Sequence, residues 1–240
     1  GYVQVNNGTD ASGHNTLAPE SIHYLGPFIQ ATKDRPVRIK FTNKLPVGQG
    51  GNLFIPVDPT VMGAGTGPDG VTLYKENRST IHLHGGKTVW ISDGTPQQWT
   101  TPADENTPYP KGVSTKNVPD MPDPGPGSMT FFYSNQQSAR LLWFHDHAYG
   151  ITRLNVYVGE ASAYLLTDDT EKQLVKKGLI PSDQIPLIIQ DKTFVNAATI
   201  GQTDPTWNWG MTPPIPRTGD LWFPHVYMPN QNPYDITGTN

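Results

Sequence analysis

The sequence predicts an all-β chain of short strands joined by long turns. Of its 240 residues, 24 are glycine and 24 are proline, and both residue types favour turns over helix interiors. Several short stretches alternate apolar with polar side chains, which is the period of a half-buried strand. Hydrophobic residues at 35% and charged residues at 16% suit a globular chain with long polar loops. These observations favour a sandwich or barrel over a bundle of helices.

Four stretches before residue 150 carry the clearest strand patterns. They are RPVRIKFTN (35–43), STIHLH (79–84), SMTFFYSN (128–135) and ARLLWFHDH (139–147). In the first of them, Val37, Ile39 and Phe41 alternate with charged or polar residues. The segments 46–79 and 101–128 are rich in glycine and proline, so we expect them to be loops.

The remainder of the chain is expected to add sheet and then to begin a second domain. Residues 151–168 are predicted as strand with a bend at Gly159, residues 169–179 as helix, and residues 185–195 as a new strand. We divide the chain into a first domain, a linker and an incomplete second domain, at residues 1–167, 168–182 and 183–240.

Composition excludes several classes of protein. The formal net charge is −4 and the sequence has no basic stripe, so neither nucleic acid nor an anionic membrane surface is an expected partner. No run of about 18 apolar residues occurs, so no transmembrane helix is expected. The chain has no cysteine, which leaves no disulfide, zinc finger or thiolate metal site within these residues.

Two His-x-His motifs are the strongest chemical signal. His82 and His84 end one predicted strand, His145 and His147 end another, and together they use four of the 7 histidines. Residues i and i+2 of a strand point to the same face, so each pair projects side by side. Imidazole is a good ligand for copper, zinc, iron and nickel. Two adjacent strands would therefore bring four imidazoles to one metal centre.

Other interpretations of these motifs stay open. A single His-x-His on a strand is more often a packed pair than a metal site, so the prediction depends on the repetition. A zinc hydrolase of the metallo-β-lactamase type would need H-x-H-x-D-H on one loop, and neither HLHGGK nor HDHAYG has it. His14, His23 and His225 have no partner at ligand spacing and are expected on the surface or in the core.

Two acidic residues accompany the motifs. Asp93, in the sequence SDG, is either a turn residue or a carboxylate that relays protons beside the metal. Asp146 lies between the two histidines of the second pair and points to the opposite face of the strand. It is expected to act as a hydrogen-bonding partner.

The motifs and their flanks resemble the amino-terminal portion of the multicopper oxidases. The resemblance is carried by HLHGG…SDG, WFHDHAYGITRLNVYVGEASAYLL, GPFIQATKDRPVRIKFTNKLP, FIPVDPT and LWFPHVYMPNQNP, and it begins at about residue 20. The branch that it is most similar to contains spore-coat laccase, bilirubin oxidase and phenoxazinone synthase. The resemblance implies Greek-key cupredoxin-like β-barrels, of which this chain holds the first and the beginning of the second.

The resemblance also implies the roles of the site residues. Copper would occupy a trinuclear cluster, with His82 on the type 2 copper and His84 on a type 3 copper. His145 and His147 would serve the two type 3 coppers. Asp93 matches the acid near the water of the type 2 copper and would assist proton delivery.

The activity implied by the resemblance is laccase-like oxidation, in which phenols, aromatic amines or metal ions supply electrons and O2 is reduced to water. The other two histidine motifs and the type 1 copper site are absent. We expect them in a C-terminal portion that is a separate, cleaved or unrecorded chain. An extracytoplasmic location (periplasmic, cell-surface or secreted) is implied. The alternative is a non-catalytic copper-binding or structural cupredoxin module.

Overall fold

The structure, a computed structural model, describes residues 1–5, 21–55, 57–112, 121–203 and 217–221. The chain divides into two compact units. The first comprises Gly1–Leu53 with Val57–Ile189, and the second comprises Phe54–Pro56 with Gln190–Asn240. The domain division predicted from the sequence stays a prediction. His14 and His225 lie outside the described residues, and His23 is exposed.

The described part of the first unit contains six strands in two sheets. They are β1 (Ile29–Thr32), β2 (Val37–Thr42), β3 (His82–His84), β4 (Ser128–Tyr133), β5 (Arg140–His145) and β6 (Ala161–Thr167). One sheet has the order β1-β6-β5-β3, and the other pairs β2 with β4. The pairing of β1 with β6 is parallel, and the other neighbours are antiparallel. The four strands predicted before residue 150 are thus present, whereas β1 was missed.

The core lies between the two sheets. Phe131 of β4 and both Tyr164 and Leu166 of β6 are completely buried there, and they pack with Leu142 and Phe144 of β5. Each such side chain contributes roughly 1.5–3 kcal/mol by leaving water. The described strands make two facing sheets, with no ladder among them that closes a barrel. The predicted all-β class is confirmed as a mostly β fold with few helices.

Three short α-helices interrupt the β structure in the described residues. They are α1 (Thr152–Tyr157), α2 (Asp169–Lys176) and α3 (Ile200–Thr203), and two 3-10 helices lie at Gly48–Gly51 and Trp90–Ser92. The helix predicted at 169–179 is α2, and the Asp168 carboxylate caps it by accepting from the Glu171 amide at 2.8 Å. None of these helices has the length and apolarity that a membrane crossing requires.

Two strand predictions were wrong. Residues 151–168 are not continuous sheet, because the stretch first forms α1, which ends before Gly159 at φ +110°, and only then β6. Leu154 and Asn155 point inward from this helix, so burial overrides the strand pattern. Residues 185–195 form no strand, and their only bridge in the described chain joins Phe194 to Leu221.

Candidate metal centre

Strand pairing brings the two histidine motifs together. β3 and β5 are antiparallel neighbours, with His82 opposite His145 and His84 opposite Trp143. Leu83 and Phe144 point into the core from these strands. Because side chains alternate along a strand, the histidines lie on the other face of the sheet. The apolar core thereby fixes the orientation of the imidazoles.

Three of the four histidines are positioned to hold a metal ion. The candidate ligand atoms of His82, His84 and His145 all lie within 4.8 Å of one another. Nδ1 of His84 is 3.2 Å from Nε2 of His145. Two nitrogens bound to one metal at about 2.0 Å are about 3 Å apart, so this spacing suits a shared ion. Other pairs of ligand atoms in this group are up to 4.8 Å apart, which leaves room for a second ion beside the first.

His147 lies just beyond the end of β5 and joins the same cluster. Its ring centroid is 5.0 Å from that of His82 and 5.5 Å from that of His145. Its Nδ1 is buried and has no hydrogen-bond partner. An unsatisfied buried nitrogen costs about 1–3 kcal/mol, a cost that a bound metal ion would remove. All four predicted histidines therefore meet, and this donor set fits copper.

Backbone carbonyls fix the protonation of two rings. His82 Nδ1 lies 2.5 Å from the carbonyl oxygen of Asp93, and His145 Nδ1 lies 2.6 Å from that of Asp146. Since a carbonyl only accepts, each Nδ1 carries the proton and each Nε2 keeps its lone pair. This arrangement is typical of metal-binding histidines.

Burial keeps the same two rings neutral. It lowers the pKa of His82, and it lowers the pKa of His145 to about 4, with the neighbouring imidazoles adding to the effect. The hydrogen bonds to the carbonyls oppose the shift but do not cancel it. Both rings are consequently in the neutral form that binds metal at neutral pH.

Asp93 lies directly beside His82. Its carboxylate Oδ1 accepts a hydrogen bond from Thr88 Oγ1 at 2.6 Å and is 3.7 Å from His82 Nδ1. Gly94 at φ +65° lets this turn approach β3, because a Cβ there would lie 1.9 Å from the Ile81 carbonyl oxygen. The structure therefore places Asp93 at the cluster, where the turn role and the proton-relay role are both possible.

A buried acidic network supports the second motif. The completely buried Asp146 carboxylate accepts from the Thr80 amide, the Ala148 amide and Asn155 Nδ2, each at 2.9 Å. Glu160 accepts from Ser79 Oγ at 2.6 Å. Burial raises the pKa of Asp146 to about 6 and that of Glu160 to about 8, the latter also through the Asp146 charge.

The sequence indicates only part of this network. The place of Asp146 inside the motif marked it as a hydrogen-bonding partner, and its contacts are of that kind. Glu160 and Ser79 had no such signal, because they meet only when the sheet forms.

The sequence is similar to those of several copper-containing oxidases. No protein-family model matches the chain. A laccase of Bacillus stratosphericus is 38% identical over 173 residues, which are 70% of this chain and 28% of that laccase. A laccase of Bacillus subtilis (strain 168) is 35% identical over 185 residues, or 76% of this chain and 29% of the relative. The bilirubin oxidase of Albifimbria verrucaria is 38% identical over 137 residues, which are 56% of this chain and 20% of that oxidase.

Among solved structures, the McoA multicopper oxidase of Aquifex aeolicus aligns with a TM-score of 0.44 and 22% identity. The alignment covers 70% of this chain and 26% of that one.

Fold and site together define a mostly β protein with a histidine-rich candidate metal centre. Over about 70% of its length, the chain is homologous to the multicopper oxidases, which confirms the resemblance seen in its motifs. The chain spans less than a third of the length of the two laccases that it matches.

Proposed function

We propose that this chain is the N-terminal portion of a laccase-like multicopper oxidase and supplies half of the histidines of a trinuclear copper cluster. The observation that carries the proposal is the convergence of two His-x-His pairs from adjacent strands on one sheet face. The laccase and bilirubin oxidase names of its relatives support the oxidoreductase class.

Each histidine has a proposed role. His82 would bind the type 2 copper and His84 a type 3 copper, while His145 and His147 would serve the two type 3 coppers. Bound copper supplies the redox chemistry, which carries single electrons from the substrate to O2 and yields water. The carbonyls of Asp93 and Asp146 hold their imidazoles in the neutral tautomer that has Nε2 free.

Asp93 has a proposed catalytic role as well. Reduction of O2 to water consumes protons, and a partly buried centre needs a group that delivers them. The Asp93 carboxylate lies 3.7 Å from His82 Nδ1 and is oriented by Thr88. Asp93 would hold a proton at its carboxylate and pass it to the site.

The proposed activity also requires a second portion of the protein and a reducing substrate. The remaining histidines and the type 1 copper would come from a C-terminal portion of the same protein. Phenols, aromatic amines or metal ions would be the reducing substrates. We place the protein outside the cytoplasm, as a periplasmic, cell-surface or secreted oxidase.

A non-catalytic copper-binding module is the second candidate. The observation that favours it is the exposure of His84, which suits a simple copper site at the surface of the described structure. Such a module would bind copper but would not consume O2.

Copper content and O2 uptake of the intact protein test both candidates. We expect copper to bind and His145→Ala to lower its content, because His145 is 4% exposed and held by a carbonyl. His23→Ala, which removes an exposed histidine outside the cluster, is the matched control. Copper binding without O2 uptake would favour the module, and absence of copper would overturn both candidates.

A further inference from the structure

Trp143 contacts two of the candidate ligands at once. It is the cross-strand neighbour of His84 and lies two residues before His145 on the same face of β5. Its ring centroid is 5.0 Å from that of His84 with an interplanar angle of 26°. The corresponding values for His145 are 4.1 Å and 25°. One indole therefore stacks on both imidazoles whose nitrogens lie 3.2 Å apart.

The two imidazoles are supported unequally without this stack. His145 is buried and its Nδ1 is held by the Asp146 carbonyl. His84 is exposed, and the only hydrogen bond described for its ring is the one to His145. An exposed ring at the end of a three-residue strand is free to turn about its side-chain bonds unless a flat surface restrains it. Trp143 supplies that surface.

We propose that Trp143 is a positioning residue that holds the rings of His84 and His145 in the orientation in which both bind one copper ion. The inference rests on the proposed copper-binding function. Trp143 is 40% exposed and so contributes less to the core than its neighbour Phe144, at 2%. Its large flat ring instead lies on the face of the sheet that bears the histidines, where it stacks on His84 and His145.

Paired substitutions separate stacking from bulk. Trp143→Phe keeps an aromatic ring, whereas Trp143→Leu keeps an apolar side chain but no ring. Leu141→Ala is the matched control, because Leu141 lies on the same strand and face, is 49% exposed and has no ring. Affinity for Cu(II) is measured in the intact protein by chelator competition, and X-ray absorption spectroscopy records the geometry of the bound copper.

We expect Trp143→Leu to bind Cu(II) about 10-fold to 100-fold more weakly and to alter the X-ray absorption spectrum of the bound copper. The affinity of Trp143→Phe for Cu(II) should stay within about 3-fold of the parent's, because the ring is kept. The affinity of Leu141→Ala should be unchanged. Thermal unfolding should show a similar stability for the Phe and Leu variants.

Other outcomes would overturn the inference. Equal affinity of Trp143→Leu and the parent would exclude a positioning role while leaving the proposed function intact. Equal loss in the Phe and Leu variants would exclude stacking as its cause. A parent protein that takes up no Cu(II) would overturn the proposed function and this inference together.

Discussion

The two His-x-His motifs share one spacing but are held in different ways. The first lies on a three-residue edge strand, and its support is a turn whose Asp93 carbonyl contacts His82. The second ends a strand that has neighbours on both sides, and the buried Asp146 anchors it through three hydrogen bonds. Identical spacing therefore places the ligands, while different surroundings decide how firmly each pair is fixed.

The largest effect is expected at the anchor of the second motif. Asp146→Ala leaves two buried amides and the Asn155 side chain without their acceptor. We expect the free energy of unfolding to fall by about 3 kcal/mol, measured by urea denaturation. Asp169→Ala, at a carboxylate that is 88% exposed, should change it by less than about 1 kcal/mol. A small loss at Asp146 would mean that the second motif is no better anchored than the first.

The turn that supports the first motif should be almost as sensitive. Gly94→Ala places a Cβ 1.9 Å from the Ile81 carbonyl oxygen in a residue at φ +65°. We expect a loss of about 2–3 kcal/mol, from backbone strain and the forced shift of the turn. Gly178→Ala is the control, since φ is +66° with nothing within 4 Å, and it should lose only about 1 kcal/mol. Equal losses at both glycines would show that the close approach to β3 does not matter.

A rate effect is expected at Asp93. Asp93→Asn keeps a side chain that suits the turn and leaves the carbonyl contact to His82 in place. We expect copper content to be unchanged and O2 consumption by the intact protein to fall about 10-fold or more. The exposed Asp104 provides the control substitution, Asp104→Asn, which should leave the rate unchanged. Unchanged turnover in Asp93→Asn would identify Asp93 as a turn residue only.

The last effect depends on pH and also concerns the second motif. The pKa of Glu160 is raised from its ordinary value of 4.5 to about 8, so ionisation is costly in the folded state. The stability that protonated Glu160 contributes is fully present below its ordinary pKa of 4.5. It is lost as pH rises from there through about 8, the pKa in the folded state. Glu160→Gln should remove this loss, leaving stability similar to that of the parent at about pH 5 and higher than that of the parent at about pH 9. Parallel pH profiles for the two proteins, from urea denaturation, would contradict this.

The features that could be predicted from the sequence are those that depend on residues close together in the chain. The alternation of apolar and polar residues located β2, and the His-x-His spacing located the cluster, because both depend on residues close in sequence. β1 could not be located in this way, since it is short and is stabilised by pairing with β6 far along the chain. The helix at Thr152–Tyr157 was missed because burial of Leu154 and Asn155 outweighs local propensity. Trp143 carried no signal until the register placed it opposite His84.

The order of strands in the larger sheet has a consequence for biosynthesis. His84 and His145 are 61 positions apart, and Ala31 and Thr167, which join β1 to β6, are 136 positions apart. Contacts between such distant segments form slowly, because the intervening loops must close first. A chain emerging from the ribosome cannot assemble the cluster before residue 147, nor surround β5 before residue 167. Under the proposed function, copper can therefore bind only after both histidine-bearing strands have been made.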